Sequence, residues 1–273
     1  MIPKTTTFIV MVILSLPLIS ETIFTQTLQG DLFSITRHDA ANFTLNGSSE
    51  TNSPQNFSLN AEADFCSRYY YKGIALSTGA VFQPGASINV QNFTAGVWSS
   101  FSLNRDNIQD LDELDVYMQH DISFDEISIS NKLALYLYPG IDDYPTTGEY
   151  ILNFGVTRGE ITGFTEFTVD LVKYPGAFIV THGISGCREL HSNLQLEASL
   201  SFSWAGRKFN SVNYGIDKPA INYMQGDLNI TYSFPRGLYL KPHLHYIHTL
   251  DKELQETGGK GNFFFGLTAG YTI

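Results

Sequence analysis

Three histidines fall close together late in the chain, His243, His245 and His248. In an extended segment His243 and His245 share one face, because side chains two residues apart point the same way. Imidazoles at that spacing can share a metal ion or a proton. A closed metal site needs further Cys, His or carboxylate ligands, and the sequence places none beside them. The expectation is therefore no metal and no cofactor. His182 ahead of Ser185, and His191 beside Ser192, supply a base and a nucleophile by type. Catalysis also needs an orienting group converging on both, and neither pair shows one, so no catalytic residue is assigned. Cys66 and Cys187 lie on segments that are not neighbours in a simple meander, and no disulfide is expected between them.

The larger chemical signal is a set of charged residues at alternating positions: Glu62, Asp64, Arg68, Lys72, Asp115, Lys132, Glu149, Glu166, Asp170, Glu197, Asp227 and Lys241. Their neighbours in sequence are apolar, so one face of each segment is charged and the other oily. Lining a water-filled tube, such residues would be pore-lining, and the excess of acids would raise the local cation concentration. In a narrow tube they would instead pair with one another and fill it.

Strict alternation supplies the elements that hold these groups. Leu194, Leu196, Ala198, Leu200, Phe202 and Trp204 interleave with Gln195, Glu197, Ser199, Ser201 and Ser203. Met224 to Phe234 and Ile127 to Leu137 repeat the pattern, which is that of a strand with two unlike faces. The spacing predicts strands near 58–72, 82–90, 93–103, 112–120, 127–138, 148–157, 161–172, 177–186, 192–205, 222–234, 238–248 and 262–273. Most have the roughly 9–11 residues a tilted strand needs to cross a bilayer. The connections alternate between short (91–92, 121–126, 158–160, 235–237) and long (104–111, 139–147, 206–221, 249–261). Short periplasmic turns and longer external loops are the habit of membrane barrels. Open edges cannot sit in lipid, so the sheet must close. The predicted fold is all-β: a closed antiparallel up-and-down transmembrane β-barrel of about twelve strands. Tyr69, Tyr71, Trp98, Tyr136, Tyr138, Tyr150, Tyr174 and Trp204 fall near strand ends, where interfacial girdles form.

Composition agrees. The chain has 273 residues, with 20 Phe, 15 Tyr and 23 Gly, and a formal net charge of -11 without any basic run, which excludes nucleic acid as a partner. Lys4 followed by an apolar stretch from Phe8 to Ile19 reads as a secretory signal peptide over 1–20, too short to span as a helix. Residues 21–56, rich in Thr, Ser, Asn and Gly, read as a flexible periplasmic segment ahead of a barrel over 57–273.

The run Arg68-Tyr-Tyr-Tyr-Lys-Gly-Ile-Ala-Leu-Ser77, then Gln83-Pro-Gly-Ala-Ser-Ile and Phe93-Thr-Ala-Gly-Val-Trp-Ser-Ser100, resembles the opening strands of the TorF family of porins, and Glu113-Leu-Asp-Val-Tyr117 resembles its fourth strand. Tyr70, Tyr71 and Lys72 stand where that family tends to have Arg or Phe. The alternating final strand, ending at Ile273 where an aromatic is usual, looks like the recognition strand read by the barrel assembly machinery. The resemblance implies a pore in the outer membrane of a Gram-negative bacterium. Its partners would be outer-membrane lipid, lipopolysaccharide and small solutes crossing by passive diffusion. The alternatives are a lipid-modifying or hydrolytic enzyme on the same barrel, and a closed barrel whose loops bind a partner.

Overall fold

The computed structural model describes residues 57–103, 112–139 and 146–273. The signal peptide and lead-in expected over 1–56, and most of the loops expected at 104–111 and 139–147, lie outside the described residues. In chain order the described strands are β1 (Phe57–Cys66), β2 (Tyr69–Tyr71), β3 (Ile74–Ser77), β4 (Val81–Val90), β5 (Phe93–Ser102), β6 (Glu113–Phe124), β7 (Ile127–Leu137), β8 (Thr147–Arg158), β9 (Ile161–Asp170), β10 (Phe178–His191), β11 (Leu194–Ala205), β12 (Ala220–Ser233), β13 (Leu238–Thr249) and β14 (Gly261–Thr272). All but β2 and β3 form one closed barrel of twelve antiparallel strands. Each barrel strand pairs with its neighbour, and β1 closes the ring by pairing with both β14 and β4. Barrel strands run from 10 to 14 residues, enough to cross a bilayer at a tilt.

Alternation decides which face goes where. Outward residues include Phe65 at 57%, Met118 at 59%, Leu200 at 50% and Phe263 at 67% exposure. A contiguous apolar exterior of this kind has no stable interface with water, and it is the surface a bilayer solvates. The inward set is polar: Gln83, Asp115, Gln119, Lys132, Asn153, Glu166, Ser201 and Asp227 are all buried. One bulge, between Ser203 and Trp204 opposite the start of β12, shifts the register and turns both Asn222 and Tyr223 into buried positions.

The segment expected to form a single strand over 58–72 does not. β1 ends at Cys66, and the chain then makes a separate two-stranded hairpin of β2 and β3. Lys72 at φ 50° and Gly73 at φ 85° occupy its turn. Positive φ at both central residues is the type I′ geometry that suits a tight hairpin. Period-two reading could not see this break, because Tyr-Tyr-Tyr has no polar face to mark a change of partner. The turn between β6 and β7 is likewise tighter than 121–126, since β6 runs on to Phe124.

The described long connections leave the rim opposite the one where β1 starts and β14 finishes. There α1 (Arg207–Tyr214) and α2 (Lys252–Gly258) join the hairpin. Tyr69, Tyr70, Trp98, Phe209, Tyr214, Tyr223, Ile247, Leu254 and Phe264 belong to one apolar cluster. Tyr69, Trp98 and Tyr136 are therefore 1%, 4% and 2% exposed inside the barrel mouth rather than part of an interfacial girdle. Tyr71 hydrogen-bonds inside as well. Trp204, at 40% exposure, does face outward.

Candidate functional site

The interior begins with the hairpin, which crosses the loop end of the barrel and is seated by side chains on several walls. Its own backbone ladder is internal. On the side of β6 to β8, Tyr69 Oη donates to Glu113 at 3.1 Å, Lys72 Nζ meets Glu149 at 2.9 Å, and Tyr136 Oη donates to the same carboxylate at 2.7 Å. Tyr71 also donates to Glu149. Tyr69 packs on Trp98 of β5 with ring centroids 5.5 Å apart. Toward β14, Tyr70 stacks on Phe264 at 5.4 Å, Asn262 donates to Tyr70 Oη, and Arg68 reaches Asn262 at 3.3 Å. At the tip, a Cβ on Gly73 would stand 2.6 Å from Tyr223 and 2.9 Å from Tyr214 Oη, so only glycine lets the turn press against β12 and α1. The outcome is a plug.

Burial grades along the barrel. Near the plug the wall positions are sealed, as at Ser100, Ser203 and Glu113. Toward the short-turn rim exposure is mixed: Asn60, Glu62, Ser87, Asp121, Ser185, Gln195, Ser199 and Lys241 are partly exposed and Ser123 and Ser233 fully so, while Ser58, Thr94, Ser128 and Thr162 stay buried. Among the described residues the interior is a polar vestibule, partly exposed toward the end where β1 starts and β14 finishes and occupied by the hairpin at the loop end.

The twelve residues expected to line the pore all face this interior. Asp64, Asp115, Lys132, Glu149, Glu166, Asp170, Glu197 and Asp227 are buried wall residues, and Glu62 and Lys241 are partly buried. Arg68 and Lys72 also point inward, but from the inserted segment instead of the wall of β1, because the strand ends before them. Glu149 takes Lys72; Asn153 donates to Glu166 at 3.0 Å; Ser199 donates to Asp227 at 2.7 Å; Tyr239 donates to Glu62 at 2.9 Å.

Large inward aromatics lie along the wall. Tyr117 faces Gly96, Phe164 faces Gly183, Tyr239 faces Gly270 and His243 faces Gly266 in direct cross-strand pairs. In every case a Cβ on the glycine would collide with the ring. Glycine under an aromatic lets the ring fold flat onto the neighbouring strand. Lys132 then caps Tyr117, its Nζ 4.3 Å from the ring centroid.

His243 and His245 are not isolated. His243 Nε2 sits 2.9 Å from Asp64, His243 Nδ1 is 2.6 Å from His245 Nε2, and His245 Nδ1 is 2.7 Å from Asp227. Sequence reasoning paired the histidines but missed the two carboxylates, which arrive from β1 and β12. The available signal was parity: all four occupy inward positions at similar height. His248 stands apart, its ring stacked 6.2 Å from outward Tyr246. His182 faces outward and bonds Thr165 at 2.9 Å, so it does not meet Ser185. His191 and Ser192 lie 3.2 Å apart, both exposed in the β10–β11 turn. Cys66 is buried and Cys187 partly so, with no disulfide between them.

An apolar outer belt, a polar inner wall and a ring without edges define a transmembrane β-barrel of the outer-membrane type. In sequence, residues 48–175 match the model of the family described as "Bacterial protein of unknown function (Gcw_chp)". No curated protein matches the chain. Among solved structures, the NanC porin shares the fold at a TM-score of 0.53 and 8% identity, over 79% of this chain and all (100%) of that one. An outer membrane channel from Pseudomonas putida F1 aligns at 0.45 and 12% identity, over 82% of this chain and 100% of that chain. The translocator domain of the autotransporter NalP from Neisseria meningitidis aligns at 0.44 and 11%, over 81% and 89%.

Proposed function

We propose that this chain is a porin of the Gram-negative outer membrane, passing small solutes by passive diffusion with a weak preference for cations, and that its hairpin is the gate. The observation that carries this reading is the vestibule: a charged, hydrogen-bonding wall, partly exposed toward one rim and occupied at the other by a separable element. The hairpin is separable because its ladder hydrogen bonds are its own, and side chains seat it. Inward acids outnumber inward bases, and a charged lining concentrates the opposite ion. The likeness of the opening strands to the TorF family belongs to the same reading, as do assembly by the barrel machinery and contact with lipopolysaccharide. Nothing in this reading uses a cofactor or a catalytic group.

Planar-bilayer recording on purified protein tests it, with folding checked by heat-modifiable mobility. The intact barrel should give infrequent openings. A variant lacking residues 69–77 should conduct steadily, with a reversal potential favouring cations. Silence from both folded proteins overturns the pore and leaves a closed barrel whose loops do the work.

A further inference from the structure

With Asp64 and Asp227 ionised, the three contacts of the Asp64–His243–His245–Asp227 chain call for a definite number of protons. Carboxylates accept, so the bond to Asp64 needs a proton on His243 Nε2, and the bond to Asp227 needs one on His245 Nδ1. The bond between His243 Nδ1 and His245 Nε2, at 2.6 Å, needs one more. Three N–H groups on two imidazoles amount to one shared imidazolium. With both carboxylates ionised, the four residues carry a single net negative charge.

A second proton would occupy the last unprotonated nitrogen. Both central atoms would then carry N–H groups facing each other, and the bond between the histidines must break. His245 also lies against Phe264, with centroids 4.6 Å apart and planes at 22°. Phe264 in turn stacks on Tyr70 of the plug, at 5.4 Å and 25°. A three-ring stack thus runs from the histidine pair to the hairpin. We propose that this chain is a proton-binding site that operates the plug: it holds one shared proton in the closed state, and uptake of a second from the vestibule parts the histidines and unseats Tyr70.

By register the ionisable groups at flanking inward positions are Glu62 of β1, Glu197 of β11, Tyr223 of β12, and Tyr239 and Lys241 of β13, with Arg68 and Tyr70 coming from the inserted segment onto Asn262 and Phe264 of β14. β14 contributes Asn262, Phe264, Gly266 and Thr268, none of which titrates. Lys241 and Tyr239, on the short-turn side of His243, are partly exposed.

The proposal extends the gating part of the proposed function, and its test needs no current. Nitrogen NMR of the histidine-labelled barrel in nanodiscs, from about pH 8 to 5 where imidazole titrates, should show His243 and His245 protonating in two coupled steps. Trypsin cleavage at Arg68 or Lys72 in the folded barrel should rise across the second step. His243→Gln should abolish that rise, while His248→Gln on the outer face should keep it. Two independent single-step titrations overturn the proposal, and so does a cleavage rate that stays level while the pair titrates. A silent bilayer with the NMR and cleavage results intact would count against the pore alone.

Discussion

The Glu149→Gln substitution removes the anion that holds the lysine in the plug's turn. The Lys72 and Glu149 side chains are 4% and 10% exposed, with N···O at 2.9 Å. Removing one partner of a buried pair costs about 3–5 kcal/mol, because the other charge is left uncompensated. The amide oxygen introduced at position 149 would still accept from Tyr71 and Tyr136, and the Glu166 carboxylate still acts on Lys72. The expected cost is therefore at the low end, about 3 kcal/mol, which multiplies the unseated fraction roughly a hundredfold. Limited trypsinolysis in nanodiscs measures that fraction, since cleavage follows the open population when reclosing is fast. Cleavage after Arg68 and Lys72 should accelerate roughly a hundredfold, with the barrel still resistant to unfolding in cold detergent. An unchanged rate in an intact barrel would refute the idea that this ion pair seats the plug.

Other consequences follow from the walls and the loop end. Gly96→Ala should force Tyr117 off β5, disturb the Lys132 cap and cost about 1–3 kcal/mol of overpacking, read as a lower urea midpoint in micelles. Leu200→Arg places a cation in the middle of the apolar belt and should cost about 2–4 kcal/mol, whereas Gln195→Arg on the inner face should cost little; the same unfolding series separates them. At the loop end, burial alone would raise the Asp251 carboxyl, but hydrogen bonds from Lys218 and from the N–H groups of Leu254 and Glu253 outweigh it and hold it below the usual carboxylate range. The lowered value means that this cap favours the folded loop at neutral pH and loses its effect as pH falls through the folded-state value. Protection factors for amide exchange over 252–258, which are corrected for the intrinsic slowing of exchange in acid, should therefore fall as pH drops before those of the barrel strands do.

The barrel was legible because its physics is written at period two. Along β11 and β14 every second residue is apolar, and lipid outside with polar wall inside leaves one register for the whole strand. The inward set followed from the same parity for the ten charged residues on barrel strands, whereas Arg68 and Lys72 lie beyond the end of β1 and turn inward with the hairpin segment. The hairpin was not legible. Tyr69, Tyr70 and Tyr71 satisfy a strand, a girdle or a plug equally well, and the choice is made by distant residues such as Glu113, Glu149 and Phe264. The histidine chain fell between these cases: i, i+2 spacing placed His243 and His245 on one face, but Asp64 lies far off in sequence and meets them only when β1 closes against β14. Gly266 and Gly270 carried a usable hint, since inward glycines on a crowded wall imply a neighbour lying over them.

Thiol accessibility along β11 tests the account most directly. In a Cys66→Ala, Cys187→Ala background, single cysteines replacing Gln195, Ser199, Leu200, Ser201 and Ser203 would be exposed in nanodiscs to a charged maleimide. Cysteines at 195 and 199 should react from the vestibule, that at 200 should be shielded by lipid, and those at 201 and 203 should stay protected until residues 69–77 are deleted. Reaction at 200 together with protection at 195 and 199 would contradict the assignment of faces, and free reaction at 201 and 203 in the intact protein would contradict the plug.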